Sequence, residues 1–356
     1  MLASINNAVR KVINNAENIH SPAIIYSSEI LKENLSMFCD SLKSISNNTL
    51  LLYSVKACMH SDVIKEMASE VDGFSVSSEE EYRLVSKYNK RISATGFGYS
   101  ENFDISKGYF YFNSILQLRK YLENKHNTGI QEIGIRINAP RTLFFKDKKS
   151  SRFGFTLDQL KLLECLSSKH KFKVKSILIH QENKVLKDSS NLKSFISMLL
   201  KKKELKMVTS INLGGGWDNL FLKGQISEFI NNLKIPSKYS IFVEPGSALV
   251  RTIGILKTSV IDETIDNNIR RITLNTSQFN NSSWYVPRII ACTKSNGKQV
   301  DTYVYGNTCY EKDFFGRYLN FSVSINDDVI MYPVGAYYYT THRELHGFKF
   351  PKEYYI

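Results

Sequence analysis

Between residues 50 and 243 the chain alternates eight short β-prone runs with longer stretches of helical periodicity, and that rhythm leaves few architectures open. The runs are residues 50–55, 73–76, 92–95, 109–113, 133–138, 174–180, 210–213 and 240–243. Between them, segments such as 61–69, 79–87, 116–123, 157–167 and 192–205 carry apolar residues at helical spacing and are long enough for crossover connections. Eight strand–helix units in this span predict a closed parallel (β/α)8 TIM barrel. A doubly wound open sheet is the alternative. It is disfavoured because no strand is followed by a Gly-rich dinucleotide fingerprint with a later acidic residue.

After about residue 250 the rhythm changes. Residues 252–261, 271–274, 288–292, 299–305 and 328–332 are strand-like with little helical pattern between them, so a β-sandwich or β-barrel domain is expected to follow. The expected organisation is an α/β barrel over residues 23–250 and a C-terminal β domain over 251–356. Residues 1–22 are expected to form an amphipathic lead-in that packs with the C-terminal domain, with Val9, Val12 and Ile13 at helical spacing before Ser21-Pro22.

Composition narrows the class. A chain of 356 residues that is 42% hydrophobic can bury a large core. Its apolar runs fall short of a membrane span, and its first residues lack the regions of a signal peptide, which together predict a cytoplasmic protein without a membrane partner. The five cysteines are odd in number and scattered, which argues against a disulfide framework and against a metal site. The net charge of +13 admits a nucleic-acid surface, but the signal is diffuse. The densest basic run, Lys201-Lys202-Lys203, follows an apolar helical segment and is interrupted by Glu204, so it reads as a solvated helix end. Nucleic acid is not an expected partner.

Catalytic groups on TIM barrels sit at the C-terminal ends of the strands. Here those ends carry Lys56, His180, Gly214-Gly215-Gly216 and Glu244-Pro245-Gly246. Each has a plain reading alone: a snorkelling lysine, a core histidine, a turn, a cap before proline. Together on one barrel mouth they match what pyridoxal 5'-phosphate requires. The cofactor needs an amine for its aldehyde (Lys56), backbone N–H groups for its phosphate (the glycines) and an acid at its pyridine nitrogen (Glu244), with His180 against the ring face.

These residues lie in motifs that resemble those of the fold-type III pyridoxal-phosphate decarboxylases, among them the ornithine, diaminopimelate and carboxynorspermidine enzymes. The resemblance runs from about Tyr26 to the C-terminus. It rests on Tyr53-Ser54-Val55-Lys56-Ala57, Ser78 with Glu81, Ser151-Arg152-Phe153-Gly154, Leu213-Gly214-Gly215-Gly216 and Glu244-Pro245-Gly246. In the β domain it rests on Gly306-Asn307-Thr308-Cys309-Tyr310-Glu311-Lys312-Asp313 and Gly335-Ala336-Tyr337. It implies an alanine-racemase-like barrel followed by a β domain, and a head-to-tail homodimer with shared active sites. It further implies Cys309 as proton donor to the site of the other subunit, Gly246 near the cofactor and Tyr337 on its phosphate. The implied reaction is decarboxylation of a small-molecule amino acid. Related racemases carry arginine where this chain has Glu244, so the acid favours loss of carboxylate over racemisation.

Three departures bear on the substrate. Ser247 stands where ornithine- and diaminopimelate-type enzymes have a phosphate-binding arginine, leaving the glycines, Tyr337 and Arg251 as candidates for that anion. Gln181-Glu182-Asn183 replaces the glycine-serine that follows the ring-stacking histidine. Tyr310 follows Cys309 where those enzymes place an acidic residue for the distal amine, with Glu311 and Asp313 as possible substitutes. These changes lean towards the carboxynorspermidine branch and a 3-amino-3-carboxypropyl substrate, carboxynorspermidine-like or nucleotide-linked. The alternatives are a diaminopimelate-, ornithine- or lysine-type decarboxylase, an amino-acid racemase and a catalytically inactive regulatory homologue.

Overall fold

A computed structural model describes residues 7–100, 103–105, 107–124, 130–139, 151–280, 284–293 and 298–356. Residues 1–6 of the expected lead-in lie outside the described residues. The chain divides into two compact units. One holds Leu35–Lys56 and Ile64–Ala248; the other holds Ala57–Val63, Leu249–Ile356 and the described part of Met1–Asn34.

The chain's first strand, β1 (Ala23–Tyr26), is fully buried and belongs to the second unit. Eight further strands close the barrel of the first: β2 (Thr49–Ser54), β3 (Gly73–Val76), β4 (Arg91–Thr95), β5 (Gly108–Phe112), β6 (Gln131–Arg136), β7 (Phe172–Leu178), β8 (Ser210–Asn212) and β9 (Ser240–Val243). All neighbours pair in parallel, and β2 closes on β9 through Thr49↔Ile241, Leu50↔Phe242 and Leu51↔Val243. The expected (β/α)8 barrel is therefore the observed one.

The barrel interior is unusually polar for a packed core. Near one end Tyr109 stacks on Phe242, with Arg91 over the same ring at 5.6 Å. Two residues further along β5, side chains return to the same face, and Tyr111 shares a 2.7 Å hydrogen bond with Ser176, which accepts from Ser210 at 2.8 Å. Two residues beyond Ser210 and Phe242 come Asn212 and Glu244. Gly134 makes room for Tyr111, since a Cβ there would lie 2.6 Å from its ring.

Two expected strand ends differ from the observed ones. The sequence puts Lys56 at the end of its strand, but β2 stops at Ser54 and Val55–Ala57 forms a 3₁₀ turn. The ladder runs out there: Ser54 makes the last pair with β3, and its N–H donates to the Pro245 carbonyl at 3.0 Å. Likewise β7 stops at Leu178, two residues short of His180. Both side chains lie beyond the ladder, where loops converge.

In the second unit, β10 (Gly254–Asp266), β11 (Ile269–Leu274), β12 (Arg288–Cys292), β13 (Val300–Tyr305), β14 (Phe314–Phe321) and β15 (Asp328–Tyr332) form one sheet in the order β12-β15-β10-β11-β13-β14. β1 adds to it, antiparallel to β10 and parallel to β16 (Lys352–Tyr355). Residues 23–26, 314–321 and 352–355 were not among the expected strands. The first is a short apolar run without alternation, buried on both faces, and short runs of that kind carry little periodic signal. The lead-in helix Asn7–Asn15 buries Val9 and Val12, and the Lys257 ammonium donates to the carbonyls of Ala16 and Glu17 at 3.1 and 2.9 Å, just beyond that helix.

Because Tyr111 is fully buried and tied to Ser176, its ring cannot yield to a new methyl group. Gly134→Ala is expected to lower stability by about 1–3 kcal/mol, the usual range for overpacking. Urea unfolding of the two proteins side by side checks this.

Candidate active site

Lys56, His180, the glycine run and Glu244 gather at one end of the barrel, because each follows the C-terminal end of a strand and all eight strands run the same way. Lys56 is half-buried in its 3₁₀ turn. Its charge acts on two neighbours, Glu81 and His180. Ser78 caps the helix Glu79–Val85 by accepting the Glu81 N–H at 3.2 Å, while Glu81 reaches back to accept from the Ser77 N–H at 2.8 Å. Burial raises the Glu81 carboxyl above its ordinary value, opposed by the Ser77 N–H and by Lys56.

Glu244 is 5% exposed. Its Oε1 accepts from Asn212 Nδ2 at 2.7 Å and from the Ser93 hydroxyl. Its Oε2 takes no hydrogen bond from the described residues, so one oxygen is fixed and the other is available. Asn212 also accepts the Gly214 N–H at 2.8 Å through Oδ1, so one amide ties the acid to the glycine loop. Ser93 and Asn212 were not singled out in the sequence. Their signal was position alone, on strands β4 and β8 at inward-facing places.

His180 Nδ1 accepts the Gly215 N–H at 3.3 Å, which leaves the ring proton on Nε2. Burial and the nearby charges of Lys184, Arg136 and Lys56 hold its pKa well below the ordinary histidine value, so the ring is neutral. Arg136, at the end of β6, stacks over Phe153 at 4.5 Å; burial lowers its pKa to about 10 against the pull of Glu244 and Glu182. It too went unremarked in the sequence, though it obeys the same strand-end rule.

The glycine loop is tightly confined. Gly214 and Gly216 have φ of +65° and +80°, and a Cβ at Gly216 would lie 2.3 Å from the Gln181 carbonyl oxygen. The loop's carbonyls are all held: Gly214 by the Glu244 N–H at 3.0 Å and the Trp217 indole at 2.6 Å, Gly215 by the Lys184 ammonium, and Gly216 by the Lys184 N–H at 2.9 Å. The N–H groups of Gly216 and Trp217, in contrast, meet no acceptor among the described residues. Gly246 is buried, and Ser247 Oγ lies 2.7 Å from both carboxylate oxygens of Asp218.

The residues present fit a phosphorylated pyridine aldehyde: an amine at Lys56, unpaired loop N–H donors for the phosphate, a carboxylate oxygen free to take a pyridine N–H, and a neutral imidazole for the ring. Ser247, where the resemblance leads one to expect an arginine, has its hydroxyl engaged by the Asp218 carboxylate.

The remaining expected residues lie in the second unit. Cys309, Tyr310 and Glu311 are exposed, and the Cys309 N–H donates to His346 Nδ1 at 3.3 Å. Tyr310 packs on Phe279. Asp313, expected on the substrate, is 1% exposed, and its oxygens accept from the Gln278 N–H at 2.8 Å and from the Thr308 hydroxyl and N–H at 2.7 and 3.2 Å. Its carboxylate is thus engaged by its own loop through Thr308 and by the distant Gln278. Tyr337 takes φ +64°, packs edge-on to Trp284 at 4.1 Å, and donates its N–H to the carbonyl of Ala57, the residue after Lys56, at 2.7 Å. Arg251, named as a phosphate candidate, stacks over Tyr285 at 4.9 Å in this unit. Among the described residues no cluster of three or more His, Cys, Asp or Glu could hold a metal, and no helix is long and apolar enough to cross a membrane.

No family model and no curated protein matches the sequence. Solved structures do. The arginine decarboxylase of Paramecium bursaria Chlorella virus bound to agmatine superposes with a TM-score of 0.80 at 19% identity, covering 99% of this chain and 100% of that one. Diaminopimelate decarboxylase from M. jannaschii gives 0.84 at 18% identity, with 96% and 88% covered. Lysine decarboxylase from Selenomonas ruminantium gives 0.79 at 16%, with 99% and 96% covered. At these identities the likeness establishes the fold, the alanine-racemase-like barrel followed by a β domain.

Burial pulls the Lys184 ammonium from an ordinary 10.5 down to about 7, against the attraction of Glu244. Between these values the unfolded chain binds a proton that the folded chain has released, so stability rises with pH across this window and is lost as pH falls towards 7. Without added cofactor, the stability of wild type relative to Lys184→Met is expected to fall from about pH 10 to about pH 7 and then level. Thermal midpoints of both proteins across that range decide it; a difference independent of pH would contradict it.

Proposed function

We propose that the chain is a pyridoxal-phosphate-dependent amino-acid decarboxylase. The observation that carries this reading is the Glu244 carboxylate, buried at the barrel mouth with Oε1 held by Asn212 and Ser93 and Oε2 left without a donor among the described residues. The cofactor supplies an aldehyde that bonds the substrate's amino nitrogen and a cationic ring that takes up the electron pair left as carbon dioxide departs. Glu244 Oε2 accepts the pyridine N–H and keeps that proton in place. An arginine there would repel it, which is why a decarboxylase is favoured over a racemase. Lys56 would supply the amine that holds the cofactor's aldehyde. The neutral His180 ring would face the cofactor without adding a charge that competes with Glu244. Gly216 and Trp217 would offer their N–H groups to the phosphate; a hydroxyl from Tyr337 there is what the resemblance of Gly335-Ala336-Tyr337 implies. Cys309, exposed on its loop, delivers a proton from Sγ to the substrate α-carbon in the site of a second subunit.

The named activities of the similar structures support an amino acid with a distal cationic nitrogen, of the arginine, lysine or diaminopimelate kind, as substrate. A second reading, a 3-amino-3-carboxypropyl compound, is favoured by Tyr310 standing directly after Cys309 and by Asp313 being engaged by Gln278 and Thr308, which leaves Glu311 as the acid there for a distal amine.

Wild type mixed with pyridoxal phosphate is expected to show a visible absorption band that borohydride abolishes, and Lys56→Ala is expected to lack it. Carbon dioxide release from arginine, lysine, diaminopimelate and carboxynorspermidine then ranks the two substrate readings. No band in wild type would leave the regulatory-homologue alternative in its place. Shared sites make a further demand. Lys56→Ala and Cys309→Ala proteins, each inactive, should regain about a quarter of wild-type activity when mixed and allowed to exchange subunits, because half the dimers then hold one intact site. Activity that stays at the level of the separate variants would place each site within one chain.

A further inference from the structure

The cradle lacks its arginine, and Ser247, which replaces it, faces the Asp218 carboxylate. A phosphate dianion bound there by neutral N–H groups alone would have no positive charge to balance it. The barrel unit holds one in an unexpected place. Lys184 is completely buried, its ammonium on the Gly215 carbonyl, 3.4 Å from the Gln181 carbonyl and 4.7 Å from the centre of the Trp217 ring. Among the described residues no carboxylate lies within ion-pair distance of it. A buried ammonium whose direct contacts are carbonyls and a ring, with Glu244 attracting it only from beyond ion-pair distance, is costly, and an anion bound nearby would offset that cost.

The peptide geometry says how the lysine and the anion would communicate. The Gly215–Gly216 peptide is trans, so its C=O and N–H point in opposite directions. Lys184 draws the carbonyl to its own side, which turns the Gly216 N–H the other way. The Lys184 backbone N–H does the same to the next peptide, through the Gly216 carbonyl, and so turns out the Trp217 N–H. These are the two loop N–H groups that meet no acceptor among the described residues.

We propose, on the cofactor reading above, that Lys184 is the positioning residue of the phosphate cradle: it fixes the direction of the Gly216 and Trp217 N–H groups and supplies the positive charge that Ser247 does not. The role is specific to the phosphate, which gives it a signature. Dissociation constants are measured for pyridoxal phosphate and for pyridoxal, which lacks the phosphate, with wild type, Lys184→Met, Lys184→Gln and Lys184→Arg. In Lys184→Met the affinity for pyridoxal phosphate should fall by about tenfold to a hundredfold, as for loss of a charge-assisted contact, while that for pyridoxal changes by less than about threefold. Lys184→Arg should recover part of the loss. Equal losses for both ligands, or none, would overturn the proposal, since a lysine that merely supports the core affects both alike. Circular dichroism reports whether each variant is folded. If Lys184→Met is not, Lys184→Gln is read instead, because it keeps a donor for the carbonyl without the charge; failure of both to fold would assign the lysine to the core and overturn the proposal as well. If wild type binds neither ligand, it is the cofactor reading that fails.

Discussion

The buried carboxylate of Glu244 is the constraint from which the site follows. Removing an ion from water costs several kcal/mol unless donors replace the lost solvation. Here the donors come from two other strands, Ser93 on β4 and Asn212 on β8, while Glu244 itself follows β9. Three strands far apart in sequence must therefore meet inside one closed barrel before the acid can be tolerated. Asn212 then passes the constraint on, because its other amide atom fixes Gly214. The orientation of the acid and the start of the glycine loop are set by a single side chain.

From Gly214 the order propagates through hydrogen bonds that all point the same way. Each carbonyl of the loop is held from the protein side, by Glu244, Trp217 and Lys184 in turn, and a loop so held presents its next N–H groups outward. Positive φ at Gly214 and Gly216 is the local requirement that makes this path possible, and the contacts a Cβ would meet, with His180 and with the 181–182 backbone, leave no room for another residue. The same packing holds His180 neutral, since its Nδ1 is occupied by Gly215 and three cations surround it.

Much of this was legible in the sequence because the signals were local. A run such as 240–243 between polar neighbours reads as a strand, and its repetition eight times reads as a barrel; strand ends bearing lysine, histidine, glycines and glutamate then mark a mouth. What was not legible depended on partners distant along the chain. Residues 23–26 look like any short apolar run, and only β10 and β16 make them part of the second sheet. Lys56 looks like the end of a strand, and only the end of pairing with β3 turns it into a 3₁₀ residue. Asp313 looks available to a ligand until Gln278 and Thr308 are seen to engage it.

The sequence by itself determined the architecture, through period and alternation, and the set of reactive residue types at the barrel mouth, through their place after each strand. Tertiary structure decided which atoms of those residues remain free. Ser93, Asn212 and Lys184 carry no motif, and their importance lies in where closure of the barrel and the fold of the loop put them: beside a carboxylate that needs donors, and beneath a carbonyl whose direction sets the N–H groups beyond it. Hydrogen bonding and burial are properties of neighbours in space, and a linear pattern does not encode them.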